Sequence, residues 1–112
     1  MNKRGQRAED AAFDYLREHG LTEIERNYRC RFGEIDLIMR DAETVVFVEV
    51  RQRSSTHFGG AIASIDARKK KKLVTTARHY MATKGSFPDC RFDAVLLNGD
   101  SRVEWIRNAF GE

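Results

Sequence analysis

The sequence predicts an α/β fold in which a central mixed β-sheet is flanked by α-helices. Three observations carry that expectation. The chain opens on a segment of helical period, its middle holds strand-like segments, and a second helical segment precedes two further strands. The order helix, three strands, helix, two strands fits helices packed on a sheet. A length of 112 residues suits one domain, residues 1–112, with a modest apolar core.

Each element has its own signature. In residues 5–19, Ala8, Ala11, Ala12, Tyr15 and Leu16 share one stripe of a 3.6-residue period, and Gly20 supplies a stop. Residues 24–30 read as a moderately polar strand. Residues 34–40 form a second, with Ile35, Leu37 and Met39 on one side and Glu34, Asp36 and Ile38 on the other. Residues 44–51 make a third, strongly apolar strand interrupted by Glu49. Asp41-Ala42-Glu43 is the tight turn between these two strands, without the usual glycine. A loop over residues 54–60 ends in Gly59-Gly60, and residues 64–83 predict a long helix that turns Leu73, Ala77, Tyr80 and Met81 inward. Residues 85–89 break it. Residues 91–98 form a buried strand, and after the Asn98-Gly99-Asp100 turn residues 102–106 form a short edge strand.

No stretch approaches the roughly 20 consecutive apolar residues of a membrane span. The basic start Met1-Asn2-Lys3-Arg4 is not followed by an apolar run, so a cytoplasmic location is expected. Cys30 and Cys90 stand far apart, without zinc-site spacing, and two reduced thiols suit that compartment better than a disulfide. Twenty Lys plus Arg against seventeen Asp plus Glu give a net charge of +3. The placement of these charges says more than the sum. Arg26, Arg29 and Arg31 lie close together, Arg51 and Arg53 follow, and Arg68 with Lys69, Lys70, Lys71 and Lys72 makes a dense run. Together they could neutralise several backbone phosphates of a nucleic acid, DNA in preference to RNA; a solvated basic surface is the plain alternative.

The acidic residues carry the chemistry. If Ala42 and Glu43 form a two-residue hairpin loop, Asp41 pairs with Thr44, and counting back sets Asp36 opposite Glu49. Directly opposed residues hold their Cβ atoms about 4.5–5.5 Å apart, where like charges repel. A cation between them removes the conflict. Mg2+ or Mn2+ fits, since such hard ions take one or two carboxylates and complete their shell with water and phosphate oxygens. Glu9 falls at the edge of the first helix's buried stripe and is a third candidate ligand; alone such a glutamate is more often a surface residue whose stem covers apolar neighbours. Arg51 shares the face of Glu49. It is either a contact to phosphate or a counter-ion for Glu49 or Asp36.

At this point a resemblance enters. Gly5 with Glu9, Asn27, Gly33-Glu34-Ile35-Asp36, Phe47-Val48-Glu49-Val50-Arg51, Arg53 and Phe58-Gly59 look like the motifs of the uncharacterised YraN family, and Lys69, Ala77 and Arg91-Phe92-Asp93 follow its pattern. The likeness covers nearly the whole chain. That family is regarded as similar to the archaeal Holliday-junction resolvases within the restriction-endonuclease-like superfamily. The resemblance implies a restriction-endonuclease-like fold and a metal site of Glu9, Asp36 and Glu49, with Arg51 where the superfamily expects lysine. It also implies that Lys69 reaches a backbone phosphate. The arginine puts cleavage in more doubt than binding.

Smaller signals add little. His57 has no partner that the sequence identifies, and His19 and His79 read as structural or exposed. Phe32, Phe58 and Phe110 would stack on bases if exposed, although phenylalanine more often belongs to a core. The function expected is a metal-dependent nuclease that hydrolyses DNA phosphodiester bonds, in branched or repair-related DNA. Its catalytic residues would be Glu9, Asp36, Glu49 and Arg51, and its nucleic-acid contacts Arg51, Arg53, Lys69, Lys70 and Lys72. Cutting two strands would favour a homodimer. The alternatives are a non-catalytic nucleic-acid-binding protein of the same fold and an interaction protein whose acidic cluster is structural.

Overall fold

Ala8, Ala12 and Leu16 recur at the spacing that lines one face of a helix, and all three are buried. They belong to α1 (Lys3–Glu18), which is followed by β1 (Thr22–Cys30), β2 (Gly33–Asp41), β3 (Thr44–Gln52), α2 (Ala67–Lys84), β4 (Cys90–Leu97) and β5 (Val103–Phe110). The structure is a computed structural model and describes residues 3–52, 65–85, 88–98 and 102–110. Arg53, His57, Phe58, Gly59 and Gly60 lie outside the described residues. The element order is the one expected. Ala11, placed on the buried stripe from sequence, is exposed.

The five strands form one sheet in the order β1-β2-β3-β4-β5. β3 and β4 run parallel and every other neighbouring pair is antiparallel, so the sheet is mixed. Parallel pairing of β3 with β4 requires a crossover, and α2 lies within it. α1 packs Ala12 and Leu16 against Leu37, Met39, Val46, Val48 and Val95. α2 packs Leu73, Ala77, Tyr80 and Met81 against the other face, on Ile35, Ile38, Val45, Phe47 and Phe92. With both faces covered, β3 carries apolar side chains on both, which accounts for its unbroken run from Val45 to Val48. Burying each such side chain contributes roughly 1.5–3 kcal/mol.

The helix ends follow local chemistry. Asp66 caps α2 by accepting the Lys69 amide at 2.9 Å, and Gly85 ends it in the left-handed region at φ 70°. β5 runs to Phe110, four residues beyond the expected end, because Phe110 is buried and stacks on Phe92. Neither cysteine forms a disulfide. No helix among the described residues is long and apolar enough to cross a membrane.

The face assignment of β2 differs from simple alternation. Ile35 faces α2, whereas Leu37 and Met39 face α1, and Ile38 faces α2 again. Between Ile35 and Leu37 the strand changes the face to which its side chains point. Opposite Asp36 in β1 stands Asn27, with φ 55°, and the β1–β2 ladder omits this pair while keeping Arg26↔Leu37 and Tyr28↔Ile35. Asparagine tolerates the left-handed backbone better than most residues. The twist it permits sets Asp36 at the switch point.

Gly33 at the tip of the β1–β2 hairpin has φ 150°, and a Cβ there would lie 3.0 Å from Thr76 Oγ1 on α2. Gly33→Ala should therefore cost about 1–3 kcal/mol of stability, measured by urea denaturation. An unchanged midpoint would show that hairpin and helix separate without penalty.

Candidate active site

Strand pairing explains where the acidic residues meet. The β2–β3 ladder begins at Asp41↔Thr44, the two-residue loop expected from sequence, and runs to Leu37↔Val48. The next step in that register sets Asp36 opposite Glu49. There the strands part: β2 continues beside β1 to Gly33, and β3 continues beside β4 to Gln52. Asp36 and Glu49 occupy the crotch of this fork. The Val50 amide donates to Asp36 Oδ2 at 2.9 Å, so the side chain takes the place of a backbone carbonyl as the ladder ends.

Glu49 is buried, with 5% of its side chain exposed, and its carboxyl shares a hydrogen bond with that of Asp36. Burial, then the Asp36 charge, then that hydrogen bond push the Glu49 carboxyl up to about 8, against the pull of Lys69 and Arg51. Arg51 Nη2 lies 3.2 Å and Lys69 Nζ 3.5 Å from the same oxygen, Glu49 Oε2. Arg51 shares the face of Glu49 because it follows by two residues along β3. Lys69 reaches it from α2, whose cap at Asp66 starts the helix at the right height. The Arg51 Nε is buried without a hydrogen-bond partner. One carboxylate thus carries two cations, and one of those has a donor unused.

Glu9 sits on the α1 side of the sheet. Arg26 of β1 holds Asp10 at 2.7 Å and approaches Glu9 at 4.0 Å, while its guanidinium covers the Phe13 ring at 5.2 Å. Asn27 gives Glu9 a side-chain hydrogen bond. Burial first, and the Asp36 charge second, raise the Glu9 carboxyl above its ordinary range. Asp36 is therefore the hinge of the constellation, hydrogen-bonded to Glu49 and felt by Glu9 from the other side. Among the described residues, no three of His, Cys, Asp and Glu form a group that could hold a metal ion. The structure brings Asp36, Glu49, Arg51 and Lys69 together and leaves Glu9 at a remove.

A polar cleft of about 400 Å³ opens beside the fork, lined by Arg29, Cys30, Gly33, Glu34, Lys69, Lys72 and Leu73. Lys69 belongs to both cleft and carboxylate pair. Lys70 is half-buried on the same helix and does not line the cleft. The parts that sequence reasoning left without a role are Asn27, Asp66 and the hairpin tip. Asp66 had a legible signal, an aspartate just before a helical run. Asn27 had only its place in the family pattern, since a single asparagine in a strand does not announce its backbone conformation.

Of the histidines, His19 Nδ1 donates to the Tyr15 carbonyl and its ring stacks on the Tyr15 ring, and His79 bonds the Tyr28 hydroxyl at 2.7 Å. Neither contacts the carboxylates.

Comparison with known proteins gives a consistent picture. A family model described as "Uncharacterised protein family UPF0102" matches residues 8–97. A UPF0102 protein of Nitrosomonas europaea is 61% identical over 112 residues, covering 97% of this chain and 94% of the relative. One from Nitrosospira multiformis is 56% identical, covering 98% and 94%, and one from Psychromonas ingrahamii is 52% identical, covering 99% and 92%.

Proposed function

The chain belongs to the uncharacterised protein family UPF0102, and from that premise we propose that it is a metal-dependent nuclease hydrolysing DNA phosphodiester bonds, in branched or repair-related DNA. The observation that carries the proposal is the Asp36–Glu49 pair, two carboxyls hydrogen-bonded at the point where β2 and β3 part, with Arg51 and Lys69 beside them. The arrangement of helices on a mixed sheet is in keeping with a restriction-endonuclease-like fold similar to that of the archaeal Holliday-junction resolvases.

The donor set fits Mg2+ or Mn2+. Two neighbouring carboxyls repel when both are charged, and a divalent cation held by Asp36 and Glu49 would relieve that repulsion. The adjoining cleft has room for water and phosphate. When bound, such a cation supplies Lewis-acid polarisation of a phosphate and a more acidic water. Asp36 and Glu49 would hold it, with Glu9 acting directly or through water. Arg51 then turns from Glu49 to phosphate and stabilises the charge that develops there. A guanidinium does not serve as a general base, so the attacking water loses its proton to a carboxylate or to solvent. Lys69 and Lys72, with Lys70 and Arg53, hold the strand through backbone phosphates, which carry little base information. Cutting both strands of a duplex calls for two copies of the site, hence a homodimer.

One observation favours a second reading. Arg51 and Lys69 already neutralise Glu49 at 3.2 and 3.5 Å, so the site can be balanced without metal. In that reading the protein is a non-catalytic nucleic-acid-binding module of the same fold. Calorimetry with Mg2+ and Mn2+ on the wild type and Glu49→Ala, followed by incubation with a labelled four-way junction and single-stranded DNA, separates the two. Glu49→Ala should weaken metal binding and slow cleavage by at least about 100-fold. A wild type that binds DNA but neither metal nor cuts would establish the second reading, and one that binds no nucleic acid would sink both.

A further inference from the structure

Phe32 is an aromatic side chain without a place in either core. It stands at the β1–β2 turn, half-buried, and belongs to neither apolar cluster. Its surroundings are cationic. It lines a cavity of about 290 Å³ together with Arg68, Lys71, Lys72 and Thr75 of α2, at the small end of the range for ligand pockets. The Arg31 guanidinium lies over its ring at 4.8 Å, and the His79 ring meets it edge-on at 5.6 Å. The ring thus borders open space in the notch with a guanidinium as its present cover, and the rim carries the positive charge of Arg68, Lys71 and Lys72.

This notch is continuous with the carboxylate site. Lys72 lines both the notch and the polar cleft, and Lys69, which also lines the cleft, lies 3.5 Å from Glu49. From Lys69 to Thr75 the helix rises about 9 Å, which is roughly two to three nucleotides of a strand at B-form rise. A backbone tracking these lysines would bring a base beside Phe32. Within a duplex that base is paired and stacked on its neighbours, and its faces are closed to a side chain. Only an unpaired nucleotide can use the ring.

We propose that Phe32 is a stacking platform for an unpaired nucleobase, two to three nucleotides from the phosphate held at the Asp36–Glu49 site. The notch then selects nucleic acid with unpaired residues over continuous duplex. The inference rests on the nucleic-acid-binding part of the proposed function and is independent of whether the protein cleaves. Planar stacking gives the contact its energy, while Arg68, Lys71 and Lys72 hold the flanking phosphates. Arg31 moves from the ring to a phosphate as the base arrives.

The test is fluorescence anisotropy with EDTA present, using a labelled single strand, a blunt duplex of the same sequence, and the matching RNA single strand. Wild type should bind the single strand more tightly than the duplex. Phe32→Ala should weaken single-strand binding roughly 5- to 150-fold, leave duplex binding unchanged, and keep the slope of affinity against salt, because no phosphate contact is lost. Phe32→Trp should restore or exceed wild-type binding, which also shows that the hairpin tip still folds. The RNA arm reports whether the site also accepts ribose; equal losses on DNA and RNA support stacking on the base itself. Phe32→Ala losing as much on duplex as on single strand, or losing nothing, would overturn the platform while leaving the nuclease reading intact. A wild type that binds no strand at all would overturn both.

Discussion

Replacing Asp93 with alanine should destabilise the protein by about 3–5 kcal/mol, a large part of the stability of a domain this size. The Asp93 side chain is fully buried within β4. It accepts from Arg91 Nε at 3.0 and 3.2 Å, from Trp105 Nε1 at 2.9 Å and from the Asn108 amide at 2.9 Å. The last of these repairs a defect. The β4–β5 register shifts between Phe92↔Phe110 and Ala94↔Ile106, so the Asn108 amide has left the regular ladder, and Asn108 itself sits at φ 52°. Without the carboxylate, three part-buried donors lose an acceptor, and of the two ion-pair partners of Arg91 among the described residues Asp41 remains, at 2.9 Å. Its Nη2 already has no hydrogen-bond partner. Urea unfolding followed by Trp105 fluorescence measures the loss. Asp41→Ala, at a third-exposed position, serves as the milder comparison. A loss below about 1 kcal/mol for Asp93→Ala would mean that water satisfies these donors instead.

Glu49→Gln should produce the largest effect of pH. In the folded protein the Glu49 carboxyl is pushed up to about 8, chiefly by burial and next by Asp36, from an ordinary value of 4.5. Below 4.5 both folded and unfolded chains hold the proton. As pH rises from there to 8, the unfolded chain releases it while the folded chain retains it, and folding becomes steadily less favourable. Above 8 the penalty is complete, of the order of a few kcal/mol. The wild type should therefore lose stability between pH 5 and 8 more steeply than Glu49→Gln, and the variant should melt higher at pH 8.5. Millimolar Mg2+ should close the gap by stabilising the wild type alone, since a ligand of the folded state raises its stability. The opposite result, Glu49→Gln melting lower at every pH with no response to Mg2+, would make the carboxylate a counter-ion of Arg51 and Lys69. That outcome favours the structural reading of the acidic cluster.

The elements were legible because their signals are local. A helical stripe at Ala8, Ala12 and Leu16, the apolar run of β3 and the breakers after α2 each depend on neighbours within a few residues. The Asp36–Glu49 juxtaposition was legible for a related reason. A two-residue turn transmits register along a hairpin, so Asp41↔Thr44 at one end places Asp36 against Glu49 five steps away. The β-bulge at Asp93 could not be read in this way. A carboxylate in an apolar strand looks the same whether it serves chemistry or holds a displaced amide, and Glu49 and Asp93 differ only in what the fold brings to them.

By itself, then, the sequence determined the order of helices and strands, the mixed sheet, the hairpin register and the family, because each follows from periodicity, turn chemistry or a pattern of residues along the chain. Tertiary structure alone decided the rest. It turned β2 over at Asn27 and Asp36, so that Ile35 and Leu37 face opposite helices. It set Lys69 against Glu49 and Phe32 beside Arg68, Lys71 and Lys72, and it drew Glu9 toward Arg26. These contacts join residues far apart along the chain, seventeen positions in the case of Glu9 and Arg26, or depend on one backbone angle, and their geometry exists only once both faces of the sheet are covered.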